Sequence, residues 1–322
     1  MKFGFRKAKQ IVPWEVRVKK INPASGLSKG QAGQLYKEIL ERGKGETIGW
    51  RAGFHPEKRI QMGKVGPEGD RIRVKGGFLI GEGDRVSKFW KERIEKAARE
   101  GSKIERGGFA SGAEGFVDKE HSSKEYALGN RLFKKCPEVM ANVPFALIEF
   151  PNIKTKGRIF PEKQRAIMQA VPEESKRVLE VHESQFGRGN YKEAFKTIVN
   201  SMAELSGDKE KHLKLKELLE REKAGPSDVI WAKRIADVMP EYRQRVVNEA
   251  RKNLSTVYEK TGHIPDVAYG AKDITANGKL ADFGDFERSF SRKTASGRID
   301  YVINSLDENL KRLEMSAKKG LK

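Results

Sequence analysis

Cysteine is nearly missing from this sequence: Cys136 is the only one. No disulfide can close within the chain, which points to a reducing compartment and makes the cytoplasm the expected location. No apolar run approaches the ~18 residues that a membrane-spanning helix needs, so no membrane span is expected. The first residues are charged but lack an apolar stretch, so no secretory signal is expected there. Histidine is also scarce. His55, His121, His182, His212 and His263 are the five, and no two stand at a metal-ligand spacing. With one cysteine to help them, a structural zinc site is not expected. There is no internal repeat and no low-complexity tract.

Acidic residues fall well short of basic ones. The chain of 322 residues has 45 Asp+Glu against 65 Lys+Arg, a net charge of +20. At 37% hydrophobic and 34% charged, it can bury a substantial core beneath an unusually charged exterior. Such a surplus biases association toward nucleic acid, ribosomes, nucleotides or anionic lipid. The plain alternative is a solvated surface that only aids solubility. The surplus is concentrated: residues 1–80 hold 18 Lys+Arg and 7 Asp+Glu, so +11 of the +20 lies in a quarter of the chain. Lys2, Arg6, Lys7, Lys9, Arg17, Lys19 and Lys20 are interleaved with Phe3, Phe5 and Trp14. Basic side chains contact phosphates and aromatics stack on bases, so this stretch is a candidate polyanion-binding region. An edge strand with a charged outer face accounts for the same pattern, and a protein partner is a further alternative.

Hydrophobic periodicity gives the elements. Residues 1–22 are strand-like, and Ser28 is placed to cap a helix carrying Leu35, Ile39 and Leu40. Ile72 and Val74 alternate with charge as in a strand. A helix is expected from Asp84 to about Glu100, and another from Ser122, where Ser122 and Glu125 form a capping-box pattern. VPFALIEFP, at 143–151, reads as a buried strand. From about residue 160 the chain reads as mostly helical. Its strongest helix is expected from Pro240 to Gly262, and its last covers roughly 298–316.

The chemistry concentrates in residues 271–287. Asn277-Gly278 is a tight-hairpin dipeptide. Short strands on either side of it would bring Asp273 and Asp282 to the same end. Two carboxylates that close can hold Mg²⁺ and leave positions for phosphate oxygens. Gly284 permits a sharp backbone turn just beyond them. A surface hairpin with solvated acids is the bland reading of the same residues.

ADFGDFE, at 281–287 behind a long helix and a hairpin, resembles the metal-binding loop of protein-kinase-like phosphotransferases, in particular RIO kinases and aminoglycoside phosphotransferases. The resemblance extends more weakly upstream. GFASGAEGFVDK resembles a Gly-rich phosphate loop leading to a nucleotide-binding lysine, and VPFALIEF resembles the strand leading to an interlobe hinge. Together these segments cover about half the chain. The resemblance implies an α+β, two-lobed kinase-like fold with a small β-containing N-lobe, a mostly helical C-lobe and a basic N-terminal extension. The corresponding divisions are residues 1–100, 101–150 and 151–322. It also implies ATP and Mg²⁺ as cofactors. Asp282 and Asp273 would hold the metal, and Gly107, Gly108, Gly112 and Gly115 would cradle phosphate. Lys119 would steady the phosphates and Glu125 would position Lys119. Where the family has HRDxxxxN this chain has GHIPDVAYGAKD, so Asp273 takes the place of the usual Asn and Asp266 is the nearest candidate base. That departure suits a divergent kinase and a pseudokinase equally. A non-enzymatic nucleic-acid- or ribosome-binding protein is the alternative from charge alone.

Overall fold

In this computed structural model the described residues are 16–42, 53–60, 62, 70–75, 119–149, 165–171, 176–181, 189–206, 228–266 and 269–319. The expected helix from Asp84, Gly107, Gly108, Gly112, Gly115, and Lys2, Arg6, Lys7 and Lys9 lie outside them. The fold is α+β, and it divides into two compact units. The first comprises Met1–Asn130 and Asn142–Glu173, the second Arg131–Ala141 and Glu174–Lys322. These divisions differ from those expected at 100 and 150. The reason is a sheet that draws strands from residues 17–21 through 165–171.

That sheet belongs to the first unit. Its strands are β1 (Arg17–Ile21), β2 (Gly53–Ile60), β3 (Asp70–Lys75), β4 (Val143–Glu149) and β5 (Arg165–Val171). Their order is β1-β4-β5-β3-β2, and every pairing is antiparallel. Strand alternation places Ile72 and Val74 on one face of β3, both fully buried, and Arg73 and Lys75 on the other. β5 lies within the stretch from about residue 160 that was expected to be mostly helical. Yet Arg165–Val171 is buried throughout, because strands pair with it on both sides. Helix α1 (Lys29–Arg42) begins as its sequence indicates. Gln31 N donates to Ser28 Oγ at 3.2 Å, and Ser28 N donates to Gln31 Oε1 at 2.9 Å, a reciprocal capping box.

Helix α2 (Lys119–Lys135) starts three residues before the expected Ser122. Ser122 Oγ instead donates to the Lys119 carbonyl at 3.2 Å, so Ser122 is a helical residue and no cap. Glu125 is thereby released from the capping role its spacing suggested. Tyr126 on this helix clusters with Leu147 of β4 and Ile167 of β5, which fixes the face that meets the sheet.

The second unit is mainly helical: α3 (Tyr191–Ser206), α4 (Asp228–Thr261) and α5 (Arg292–Lys319), with a two-stranded pairing of β6 (His263–Pro265) and β7 (Phe286–Arg288). α4 begins well before Pro240, which sits inside it. An interior proline forfeits a helical hydrogen bond at a cost of ~3 kcal/mol. The buried stripe Trp231, Ala232, Ile235, Met239, Tyr242 and Val246 runs straight through it, so packing overrides the local penalty. α4 ends at Gly262, where φ is +69° and its N–H donates to the Tyr258 carbonyl at 2.7 Å. Arg243 on α4 pairs with Asp307 at 2.8 Å and Glu314 at 3.3 Å on α5, and Arg251 pairs with Asp300. The two helices therefore run antiparallel. Ile299, Val302, Ile303, Leu306, Leu310 and Leu313 form the buried stripe of α5, as their spacing indicates. Among the described residues, no helix is long and apolar enough to cross a membrane.

Candidate functional site

In the first unit a cation and a carboxylate meet under cover. Lys75 ends β3 on the face turned toward α2, and Glu125 lies one turn and a half into that helix. Lys75 Nζ is 2.8 Å from Glu125 Oε2, with the lysine side chain 20% exposed and the glutamate 0%. A carboxylate that deeply buried needs its remaining oxygen satisfied. Gln169 of β5 donates to Glu125 Oε1 at 2.6 Å, and Asn142 donates to Gln169 Oε1 at 3.0 Å. His121, one helical turn before Glu125, places Nε2 3.2 Å from Lys75 Nζ and 3.5 Å from Glu125 Oε2. The strand ladder explains the convergence: Lys75 pairs with Ile167 and Arg73 with Gln169, so these side chains share one face.

The lysine that meets Glu125 is thus Lys75, not Lys119. Lys119 opens α2, and its carbonyl accepts from Ser123 Oγ at 2.7 Å and from Arg165 at 3.2 Å. Only residues three or four apart on a helix are neighbours, and Lys119 and Glu125 are six apart. Arg17, Lys19 and Lys20 are exposed on β1, an edge strand, and Lys19 is 3.6 Å from Glu149.

In the second unit the hairpin forms at Asn277-Gly278. Gly278 has φ +77°, its N–H donates to the Thr275 carbonyl at 2.9 Å, and Thr275 N donates to Lys279 O at 3.0 Å. Three buried side chains tie it to the helices. Tyr242 OH donates to the Ala276 carbonyl at 2.9 Å, Asn253 donates to the Gly278 carbonyl at 3.0 Å, and Asn277 donates to Glu204. Its arms are not the expected strands, since Asp273 ends a 3-10 turn and Leu280 makes only isolated bridges. The return arm is held by Leu280 N to Val139 O and Ala141 N to Leu280 O, both 2.9 Å.

The hairpin brings Asp273 and Asp282 to one end, as the sequence implies. Ala281 N donates to the Asp273 carbonyl at 2.8 Å, which sets the two acids within one residue of a direct backbone bond. Asp273 is 1% exposed. Gly270 N donates to its Oδ2 at 3.3 Å, and Arg177 donates to its Oδ1 at 3.4 Å. Burial first, and then the negative charge of Asp282, push the Asp273 carboxyl up to about 7, with Arg177 opposing. Asp282 has φ 61° and ψ 63°, the only non-glycine residue with positive φ among the described residues. Such a backbone costs on the order of 1–3 kcal/mol and persists where the surroundings impose it. Here Phe283 and Phe286 are buried just beyond, with ring centroids 5.9 Å apart, and Tyr269 meets Phe286 edge-on at 4.8 Å. Asp266 is anchored to the same turn: its N–H donates to the Asp285 carbonyl at 2.9 Å, and its Oδ1 accepts from Tyr269 N at 3.3 Å.

Arg177 at 3.4 Å and the half-exposed ammonium of Lys272 at 3.9 Å only partly offset the acids, whose oxygen donors suit a hard divalent cation such as Mg²⁺. Lys75, Gln169, His121 and Arg177 were not singled out from sequence. Lys75 had the clearest signal, a lysine ending an alternating strand upstream of a helix with a glutamate. No protein-family model matches the chain, and no curated protein is similar to it in sequence.

Proposed function

We propose that the protein is a divergent, two-lobed kinase-like phosphotransferase or pseudokinase that binds ATP with Mg²⁺. The observation that carries this reading is the buried ion pair of Lys75 and Glu125. A strand lysine held by a glutamate from the following helix is what protein kinases use to grip the α- and β-phosphates. Asp282 and Asp273 of the second unit support the reading by their chemistry, because two neighbouring carboxylates suit Mg²⁺. In this assignment Lys75 takes the role first given to Lys119, and Glu125 fixes its ammonium. Asp266 would orient the hydroxyl that accepts the phosphoryl group. Positioning and charge neutralisation supply most of the rate in such chemistry. The basic N-terminal region would dock the protein on a polyanion or on an acidic partner.

Thermal unfolding with and without ATP and Mg²⁺ tests the reading. A ligand that binds only the folded state stabilises it by about 2.7 kcal/mol at a hundredfold excess over Kd. Wild type should shift upward, whereas Lys75→Met and Asp282→Ala should each lose most of the shift while staying folded. An equal shift in all three proteins would place the nucleotide elsewhere.

A further inference from the structure

The end of the α4–α5 pair carries a groove that the nucleotide reading does not use. We propose that this groove, with the exposed Phe290 next to its wall residue Ser289 in sequence, binds single-stranded RNA. The groove encloses about 740 Å³, within the ~300–1,000 Å³ of small-ligand clefts and roomy enough for a nucleotide. α4 lines it with Arg251, Ser255, Tyr258 and Glu259, and the segment entering α5 lines it with Ser289 and Arg292. Gly262 and Ala295 keep it open, having little or no side chain to fill it.

Each wall residue suits one part of a nucleotide. Arg292 is exposed and has no ion-pair partner among the described residues, so its guanidinium is available to a phosphate. The hydroxyls of Ser255 and Tyr258 make no hydrogen bond to described residues and can donate to phosphate or base oxygens. Phe290, between two groove residues in sequence, is 84% exposed, with the Arg288 guanidinium 4.9 Å from its ring centroid. An aromatic ring in water beside a guanidinium is a base-stacking platform, and stacking is worth ~1–3 kcal/mol per base. A duplex hides its base faces, so the platform selects a single strand. Glu259 decides between the two kinds of strand. A carboxylate among cations repels phosphate, but it accepts a hydrogen bond from a ribose 2′-hydroxyl, which DNA lacks. The +20 charge of the chain adds a general attraction for such a polymer.

Fluorescence anisotropy on the full chain tests this with labelled 12-mers of oligo-U and oligo-dT and a duplex of the same length. Wild type should prefer oligo-U to both others. Phe290→Ala should weaken oligo-U about tenfold. Arg292→Glu should weaken it and flatten the log–log salt slope by about 0.7. Glu259→Ala should shrink the margin of RNA over DNA. Both Phe290 and Arg292 are exposed, and circular dichroism checks that each variant keeps its fold. As a measurement needing no variant, 4-thiouridine RNA crosslinked to wild type should label peptides within residues 251–299. Crosslinks confined to other peptides, or wild-type affinity in both Phe290→Ala and Arg292→Glu, would overturn the proposal. Equal affinity for oligo-U and oligo-dT, or a preference for duplex, would overturn its assignment to single-stranded RNA.

Discussion

Two buried carboxylates, one in each unit, have opposite electrostatic surroundings. Glu125 is fully enclosed, but Lys75 lies against one oxygen and Gln169 against the other. Asp273 is almost as buried, yet its strongest charged neighbour is another acid, Asp282, which Arg177 at 3.4 Å and the half-exposed Lys272 at 3.9 Å offset only in part. The first arrangement has its own cation. Its carboxylate holds a lysine in a fixed pose. The second is incomplete. Burial and a like charge both favour the neutral acid, so the ionised form waits on an added positive charge. A buried acid of the first kind positions a cation that the chain already owns, whereas one of the second kind is suited to a cation from outside.

Removing Lys75 should break the first arrangement with the largest effect. Lys75→Met leaves Glu125 charged and buried without its cation, and losing one partner of a buried pair costs about 3–5 kcal/mol. Glu125→Gln should cost less, because the remaining Lys75 is partly exposed and can reach water. Adding Glu125→Gln to Lys75→Met should restore part of the loss, since no buried charge then remains. Urea unfolding of the three variants gives the comparison. Equal losses in the two single variants would mean that the pair is not electrostatically closed.

Asp273 should show the reverse behaviour. Its folded pKa, raised to about 7, exceeds that of an unfolded aspartate, near 4. Between those values the unfolded chain releases a proton that the folded chain keeps. The associated stability is therefore complete below pH ~4 and lost as pH rises through about 7, up to ~4 kcal/mol in all. Asp273→Asn, fixed in the neutral form, should match wild type at pH 4 and exceed it in stability at pH 8 without divalent cations. Mg²⁺ should then stabilise wild type at pH 8 and leave the variant unmoved. Chemical denaturation at the two pH values reads both effects, and a variant less stable than wild type at pH 8 would refute the incomplete arrangement.

The second unit's half of this contrast was the more legible in sequence, because it is local. Asn277-Gly278 sets a turn by its own chemistry, and the turn carries Asp273 and Asp282 to one end. The stripe of α5 and the αL end of α4 at Gly262 were legible for the same reason. The first unit's half depends on contacts far apart in the chain. Lys75 and Glu125 are 50 residues apart, and the register that joins them runs through β5, in a stretch whose sequence was read as mostly helical. Local signals misled where packing outweighed them. Ser122 and Glu125 have the spacing of a cap but lie within α2, and Pro240 has the look of a helix start but lies within α4.

The smallest of these effects should come from Gly278, and it isolates the hairpin from the acids it carries. A Cβ added there would lie 3.0 Å from Glu249 Cβ and 3.2 Å from the backbone nitrogen of Ala250, atoms of a packed helix that cannot swing aside. The φ of +77° would cost an alanine ~1–2 kcal/mol before any contact is counted. Gly278→Ala should therefore destabilise the protein by about 2 kcal/mol. Part of the strain would be relieved by lifting the turn off α4, which would lengthen the bond from Asn253 to the Gly278 carbonyl and shift the end that bears Asp273 and Asp282. The variant should accordingly lose Mg²⁺ stabilisation as well as unfolding free energy, although it changes no carboxylate. A Gly278→Ala variant that keeps the full Mg²⁺ effect would show that the acids hold their positions without the turn, and that the backbone strain at Asp282 is maintained from elsewhere.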